Sequence, residues 1–303
     1  MDLEYTWLAG NPEHADTDYF ELGDYRFNQS QRLFPQNEML DEHVEQKGRY
    51  AEIYGLEDKV VKLLNPSKFE NQCLPQNSEQ NREAYRVLED IDCPNVLTPT
   101  EVISGDILSD GQEVVAEDQF ATVIERREDT STLYDHDTSG ITWQEAEQII
   151  SDVASGLSDL HSHGVVHHDI RPANIFYDQQ NTILFDFDHS TTPYTTEPQA
   201  PGDYTLEKPP EIKQGGQIDQ RYDIFQLGQL WTALTHQIPR TAPLGETIHK
   251  LDPETEINEG INPEVPQQHN QLMKQALSFK PEQRPQNAEN LLNQIKTRPS
   301  PTI

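Results

Sequence analysis

Cysteine is nearly missing from this chain of 303 residues, with only Cys73 and Cys93 present and no CxxC spacing. Neither a disulfide framework nor a cysteine zinc site is compatible with that, so both thiols are expected to be reduced core residues. Basic residues are scarce too. Lysine and arginine total 22 against 53 aspartates and glutamates, a formal charge of -31, which argues against nucleic acid or an anionic membrane as partner. The acidic surplus is spread along the chain rather than gathered in a tail. Two explanations stand: a surface adapted to a concentrated-salt cytosol, where charges are screened over about 3 Å at 1 M salt, or steering of a basic partner. The scarcity of lysine everywhere favours the first. No apolar run approaches the roughly 18 residues of a membrane span, and MDLEYTWLAG lacks the basic start and apolar middle of a signal peptide. The expected location is the cytoplasm.

The apolar residues, 34% of the chain, arrive in periodic clusters, so a packed core is expected. Residues 1–44 are polar and acidic with scattered aromatics and match no motif. From QKGRYAEIYGLEDKVVKLL the pattern is strand-like, with GLEDK suited to a hairpin turn. In NSEQNREAYRVLEDI, Ala84, Val87, Leu88 and Ile91 recur at helix spacing, and CPN ends the helix. EVISG, QEVVA and QFATVIE then predict further strands of a mostly antiparallel sheet. A helix follows in ITWQEAEQIISDVASGLSDLHSHG, with Trp143, Ala146, Ile150, Val153, Leu157 and Leu160 on one stripe. Thr142 and Glu145 are spaced as a capping box, and Gly164 can close the other end. DIFQLGQLWTALT is apolar almost all the way round, as a helix buried inside a helical unit would be.

Residues 161–190, HSHGVVHHDIRPANIFYDQQNTILFDFDHS, hold two aspartate clusters on either side of a short apolar run. A metal ion carrying triphosphate takes a few hard oxygen ligands and keeps its waters, while an attacking hydroxyl needs a separate carboxylate. HHDIRPANIF resembles the HRDxxxxN catalytic loop, ILFDFDHS the DFG segment and KVVKLL the VAIK strand. Residues from about 46 to 295 are therefore similar to a eukaryotic-type Ser/Thr protein kinase domain. EKPPEI resembles the APE motif, RYDIFQLG the DxWSxG helix, and ALSFKPEQRP the segment whose arginine pairs with the APE glutamate. These three separate protein kinases from small-molecule phosphotransferases, which share the HxDxxxxN loop and a later metal aspartate.

The resemblance implies an α+β, two-lobed protein kinase-like fold: an extension at 1–44, a small β-rich N-lobe at 45–127, and a larger α-helical C-lobe at 128–303. It implies ATP and Mg as cofactors and a protein as acceptor. Asp169 would accept the hydroxyl proton, with Asn174 and Asp186 on the metal. Lys62 would meet the α- and β-phosphates, paired with Glu83, and Arg171 would lie near the γ-phosphate. Gly48, Ile53, Glu125 and Phe176 would line the nucleotide, Glu125 at the start of the hinge. His167 would be structural, packed on Phe187. Glu211 and Arg284 would form a buried pair, and Asp223 would hold the catalytic-loop backbone.

The chain also departs from the pattern. Only Gly48 remains of the three glycines of the phosphate loop, with Ala51 at the third position, and Asp188 stands where DFG has glycine. Those departures leave a pseudokinase as an alternative reading, beside a small-molecule phosphotransferase. His168 replaces the arginine that grips a phosphorylated activation loop, so activity without such phosphorylation is expected.

Overall fold

In the computed structural model, the described residues are 18–33, 51–64, 85–127, 131–193, 208–212, 216, 218–235 and 264–297. Gly48, Glu83, Ala84, Cys73 and residues 1–17 lie outside them. The chain divides into two compact units: residues 1–90 with 98–128 and 194–196, and residues 91–97 with 129–193 and 197–303.

The first unit is built on a seven-stranded sheet. Its strands are β1 (Phe20–Leu22), β2 (Tyr25–Phe27), β3 (Arg32–Leu33), β4 (Ala51–Gly55), β5 (Lys59–Leu64), β6 (Glu101–Ser109) and β7 (Glu113–Glu125), in the order β2-β1-β6-β7-β5-β4-β3. Every pairing among these strands is antiparallel. QEVVA and QFATVIE, expected as separate strands, run together as the 13-residue β7. The β6–β7 turn places Asp110 at φ 49° and Gly111 at φ 69°, the doubly left-handed geometry that suits a tight hairpin.

Residues 20–33, which sequence reading leaves in an extension of unknown role, belong to this sheet and occupy both of its described edges. β1 pairs with β6, and β3 pairs with β4 on the opposite side. The reason is apolar alternation too short to register as a motif. Phe20, Leu22 and Phe27 are at most 1% exposed and join Tyr54, Val61, Leu63, Ile107 and Val123 in one core. The Phe27 and Tyr54 rings lie 4.5 Å apart. Burying each such side chain stabilises by about 1.5–3 kcal/mol. The Asp110 carboxylate accepts from the Asp18 and Tyr19 amides at 3.1 and 3.2 Å, tying the segment to the hairpin turn. The sheet unit therefore begins upstream of residue 45.

The second unit is helical. Its described helices are α1 (Trp143–Ser162), α2 (Arg221–Thr235), α3 (Gln267–Ala276) and α4 (Ala288–Lys296), beside a two-stranded ladder of β8 (Ile175–Tyr177) and β9 (Thr182–Leu184). The expected stripe of α1 is buried from Ala146 to Leu160, and Thr142 and Glu145 form the reciprocal capping box. At its other end the Val165 amide donates to Leu160 and the Gly164 amide to His161, the Schellman arrangement. Gly164 has φ +75°, and a Cβ there would sit 2.7 Å from Pro193 Cγ, so only glycine fits. Every α2 residue from Tyr222 to Thr235 is buried, as its all-round apolar character predicts. The helical turn at 85–89 belongs to the first unit and carries the buried Leu88, while Ile91, the first residue of the second unit, is buried as well. Cys93 is a buried free thiol whose pKa burial pushes up to about 11.

Candidate active site

On the sheet, Ile53 of β4 stands opposite Lys62 of β5, which stands opposite Thr122 of β7. Strand alternation puts this row on the face opposite Tyr54, Val61 and Val123. Lys62 and Ile53 are partly buried, and Glu125 is exposed at the end of β7 across from Lys59. Gly48 and Glu83 fall outside the described residues.

The remaining candidates converge on the stretch 167–170, which is buried and has no helix or strand of its own. Buried amides must find acceptors somewhere, and here each finds a side chain. The His167 amide donates to Asp223 Oδ2 at 2.9 Å and the His168 amide to Asp223 Oδ1 at 2.8 Å. The Asp169 amide donates to His167 Nδ1 at 3.2 Å, and the Ile170 amide to Gln226 Oε1 at 2.9 Å. The carbonyls are served the same way: His168 O accepts from Gln226 Nε2 at 2.9 Å and Asp169 O from Asn174 Nδ2 at 2.9 Å. Asp223 and Gln226 lie three residues apart on α2, hence on one face.

Asp169 is held from its other side. Asn174 Nδ2 also donates to its Oδ2 at 2.6 Å, and Arg171 Nε lies 3.6 Å from that oxygen. Oδ1 is buried and has no partner among the described residues. Because the Asn174 amide spends its donor side on Asp169, its oxygen is left as an acceptor, a hard ligand suited to Mg.

Asp186 is joined to this loop through its neighbour. The Phe185 amide donates to Asn174 O at 3.0 Å, and Phe185 O lies 3.1 Å from His167 Nε2. With Nδ1 accepting from Asp169, His167 must be the neutral Nε2–H tautomer that donates to Phe185. Its ring lies 5.2 Å from Phe187, the contact anticipated from sequence. Burial lowers the His167 pKa, against the pull of Asp223 and Asp169. Phe176 of β8 stacks on Phe185 at 4.0 Å.

Four described non-glycine residues have positive φ. Asp110 and Gln179 lie in turns, whereas His168 (66°) and Asp186 (69°) lie in the site. Such backbone costs about 1–3 kcal/mol and persists where neighbours over-determine it. His168 is gripped through both its N–H and its C=O. Asp188 is not among the positive-φ residues, so an aspartate at the third DFG position meets no backbone penalty here. His168 is fully buried, its ring 4.8 Å from Tyr222. Burial pushes its imidazole down to about 4, so it is neutral at physiological pH.

Below the loop, burial alone would raise the Asp223 carboxyl, but the His161 hydrogen bond and the nearby histidines hold it below the usual carboxylate range. His161 Nε2 lies 3.0 Å from Asp223 Oδ2, while its Nδ1 accepts from the Ala288 amide at 3.3 Å, capping α4. Glu211 and Arg284 form the expected pair in bidentate geometry, both contacts 2.7 Å. Arg284 also donates to Ser278 O and lies 4.8 Å over the Phe225 ring. A charge this deep is tolerable because each of its faces is matched.

Sequence reading found Asp223, Glu211 and Arg284 but missed His161 and Gln226. A lone histidine at a helix end and a glutamine in an apolar helix have no signature of their own. The one available signal was a polar residue on a helix expected to be buried all round.

The protein kinase domain family matches residues 51–295 of the sequence, so the chain belongs to that family. The two units carry its α+β architecture, a β-sheet N-lobe and a helical C-lobe. It is 31% identical over 163 residues to the serine/threonine-protein kinase PrkC of Bacillus subtilis, covering 51% of this chain and 25% of that protein. It is 30% identical over 166 residues to the tyrosine-protein kinase MasK of Myxococcus xanthus, covering 50% and 26%. Over 106 residues it is 38% identical to the putative L-type lectin-domain containing receptor kinase V.1 of Arabidopsis thaliana, covering 32% and 16%. The chain thus spans under a third of the length of these relatives.

Proposed function

We propose that this chain is a Ser/Thr protein kinase that transfers the γ-phosphoryl group of ATP, in the presence of Mg, to hydroxyl groups of a protein. The observation that carries this reading is the Asp169 carboxylate, one oxygen hydrogen-bonded by Asn174 and 3.6 Å from Arg171 Nε, the other buried without a partner among the described residues. An unmatched buried oxygen is costly unless a donor arrives, and a substrate hydroxyl is such a donor. Bound Mg and ATP would supply charge neutralisation and the transferable group. Asp169 Oδ1 would take the hydroxyl proton as the hydroxyl oxygen bonds to the γ-phosphorus and the bond from that phosphorus to the β-phosphate oxygen breaks, releasing ADP. Asn174 Oδ1 and the Asp186 carboxylate would be the hard oxygens that hold the metal, and the Arg171 and Lys62 cations would offset phosphate charge. Glu83 is proposed as the ion partner of Lys62. Ile53, Phe176, Gly48 and Glu125 are proposed to border the nucleotide.

Serine and threonine are favoured over tyrosine as acceptors by PrkC and by the serine/threonine-protein kinase PknB of Mycobacterium leprae, 27% identical over 180 residues. The buried neutral His168 cannot clamp a phosphorylated loop, which supports activity without such phosphorylation. A charge of -31 favours a protein acceptor over nucleic acid or membrane, and a salt-rich cytoplasm as the working environment. Among the described residues no helix is long and apolar enough to cross a membrane.

The test is incubation with labelled ATP, Mg and a generic protein acceptor across a range of salt. Phosphoserine or phosphothreonine is expected, at equal rate after phosphatase treatment of the enzyme. Asp169→Asn should lower the rate by about 10²–10⁴. Nucleotide binding with no transfer would establish a pseudokinase, and label on sugars or aminoglycosides alone a small-molecule phosphotransferase.

A further inference from the structure

We propose that Gln226 is a positioning residue for the transfer step, fixing the peptide groups on either side of Asp169. The inference rests on the kinase reading above but concerns a residue that reading does not use. Gln226 is 1% exposed and sits one turn beyond Asp223 on α2. Its amide donates to His168 O and accepts from the Ile170 N–H, both at 2.9 Å. One planar amide thus bridges the residue before the base and the residue after it.

The two polar residues of α2 divide the loop between them. Asp223 takes the His167 and His168 amides, ahead of the base. It does not reach the peptide groups whose rotation would swing the Asp169 side chain. Those are the two held by Gln226. His168 is left-handed at φ 66°, a conformation that an untethered histidine would leave. The requirement is chemically narrow. Glutamine has a donor and an acceptor on one long arm, glutamate can only accept, and asparagine is one methylene too short to span the same pair from the same helix position. Methionine fills the volume and makes neither bond.

The experiment uses the full chain and compares wild type, Gln226→Met and Gln226→Glu, with Gln229→Met as a control. Gln229 is a buried glutamine of the same helix with no bond to the loop. Gln226→Met is expected to lower kcat by about 10–100-fold while leaving the KM for ATP nearly unchanged, because a displacement of about 1 Å costs that much in rate without removing a binding contact. Gln226→Glu keeps the Ile170 bond alone and should fall between. Hydrogen exchange at the Ile170 amide should speed up in Gln226→Met and not in Gln229→Met. Unchanged kcat in Gln226→Met, or an equal fall in Gln229→Met, overturns the proposal. A wild-type chain that transfers no phosphate removes the kinase reading and the positioning role together. Ile170 exchange distinguishes that result from failure of the clamp alone, which is marked by unchanged protection in Gln226→Met.

Discussion

The sheet unit and the helical unit solve the same problem, satisfying buried backbone, in opposite ways. In the sheet the amides pair strand to strand, and the side chains beneath are apolar: Phe20, Phe27, Tyr54, Val61 and Leu63. In the helical unit the buried irregular stretch 167–170 pairs its amides with Asp223, Gln226 and His167. A ladder tolerates exchange of one apolar residue for another, because its hydrogen bonds do not depend on side-chain chemistry. A loop satisfied by side chains tolerates none at its anchors. In return it can hold a carboxylate at a set place and keep two strained residues, His168 and Asp186, in position.

That contrast can be broken by substitution. The largest effect is expected for Asp223→Ala, which strands the His167 and His168 amides and the His161 ring N–H. Three orphaned buried donors should cost about 4 kcal/mol, seen as faster segment-resolved hydrogen exchange around 161–170. Leu63→Ala, in the sheet, should cost about 3 kcal/mol through lost transfer and a cavity. Its penalty should not change with pH, and exchange should rise in β4, β5 and β7 instead. If both variants loosened the same segments at every pH, the two units would not differ in the way argued.

The smallest effect is the acid limb. His168 has its folded pKa pushed down to about 4, against about 6.5 unfolded. A depressed histidine contributes stability that is complete above the unfolded value and is lost as pH falls toward the folded one. Roughly 2 kcal/mol should be gone by pH 5 from this group, and His167 acts in the same direction. Asp223, also depressed, adds its loss only below the ordinary carboxylate range. Denaturant midpoints between pH 7 and 5 test this. His168→Phe should flatten that limb, and an equally steep one would assign it elsewhere.

Much of the site was legible because its chemistry imposes spacing. Asp169 and Asn174 sit five apart so that the amide can reach back to the carboxylate. Glu211 and Arg284, 73 residues apart, were readable only through the resemblance of EKPPEI and ALSFKPEQRP to the paired segments of protein kinases. The strands at 20–33 were not legible. Strands of two or three residues carry too little alternation to identify themselves, and they form because a sheet with open edges and an apolar face already lies beside them. Gln226 and His161 were hidden for a related reason, since neither has a partner within its own helix.

The sequence by itself determined the family and several of the strands and helices, because motif spacing and periodicity are local properties of the chain. Only the tertiary structure decided that Asp188 meets no backbone penalty, that His168 is buried and neutral, and that a glutamine of a distant helix holds the peptide groups around Asp169. Those are matters of which groups share one desolvated volume, and a buried donor or acceptor takes whatever partner the fold brings to it, however far away in sequence that partner began.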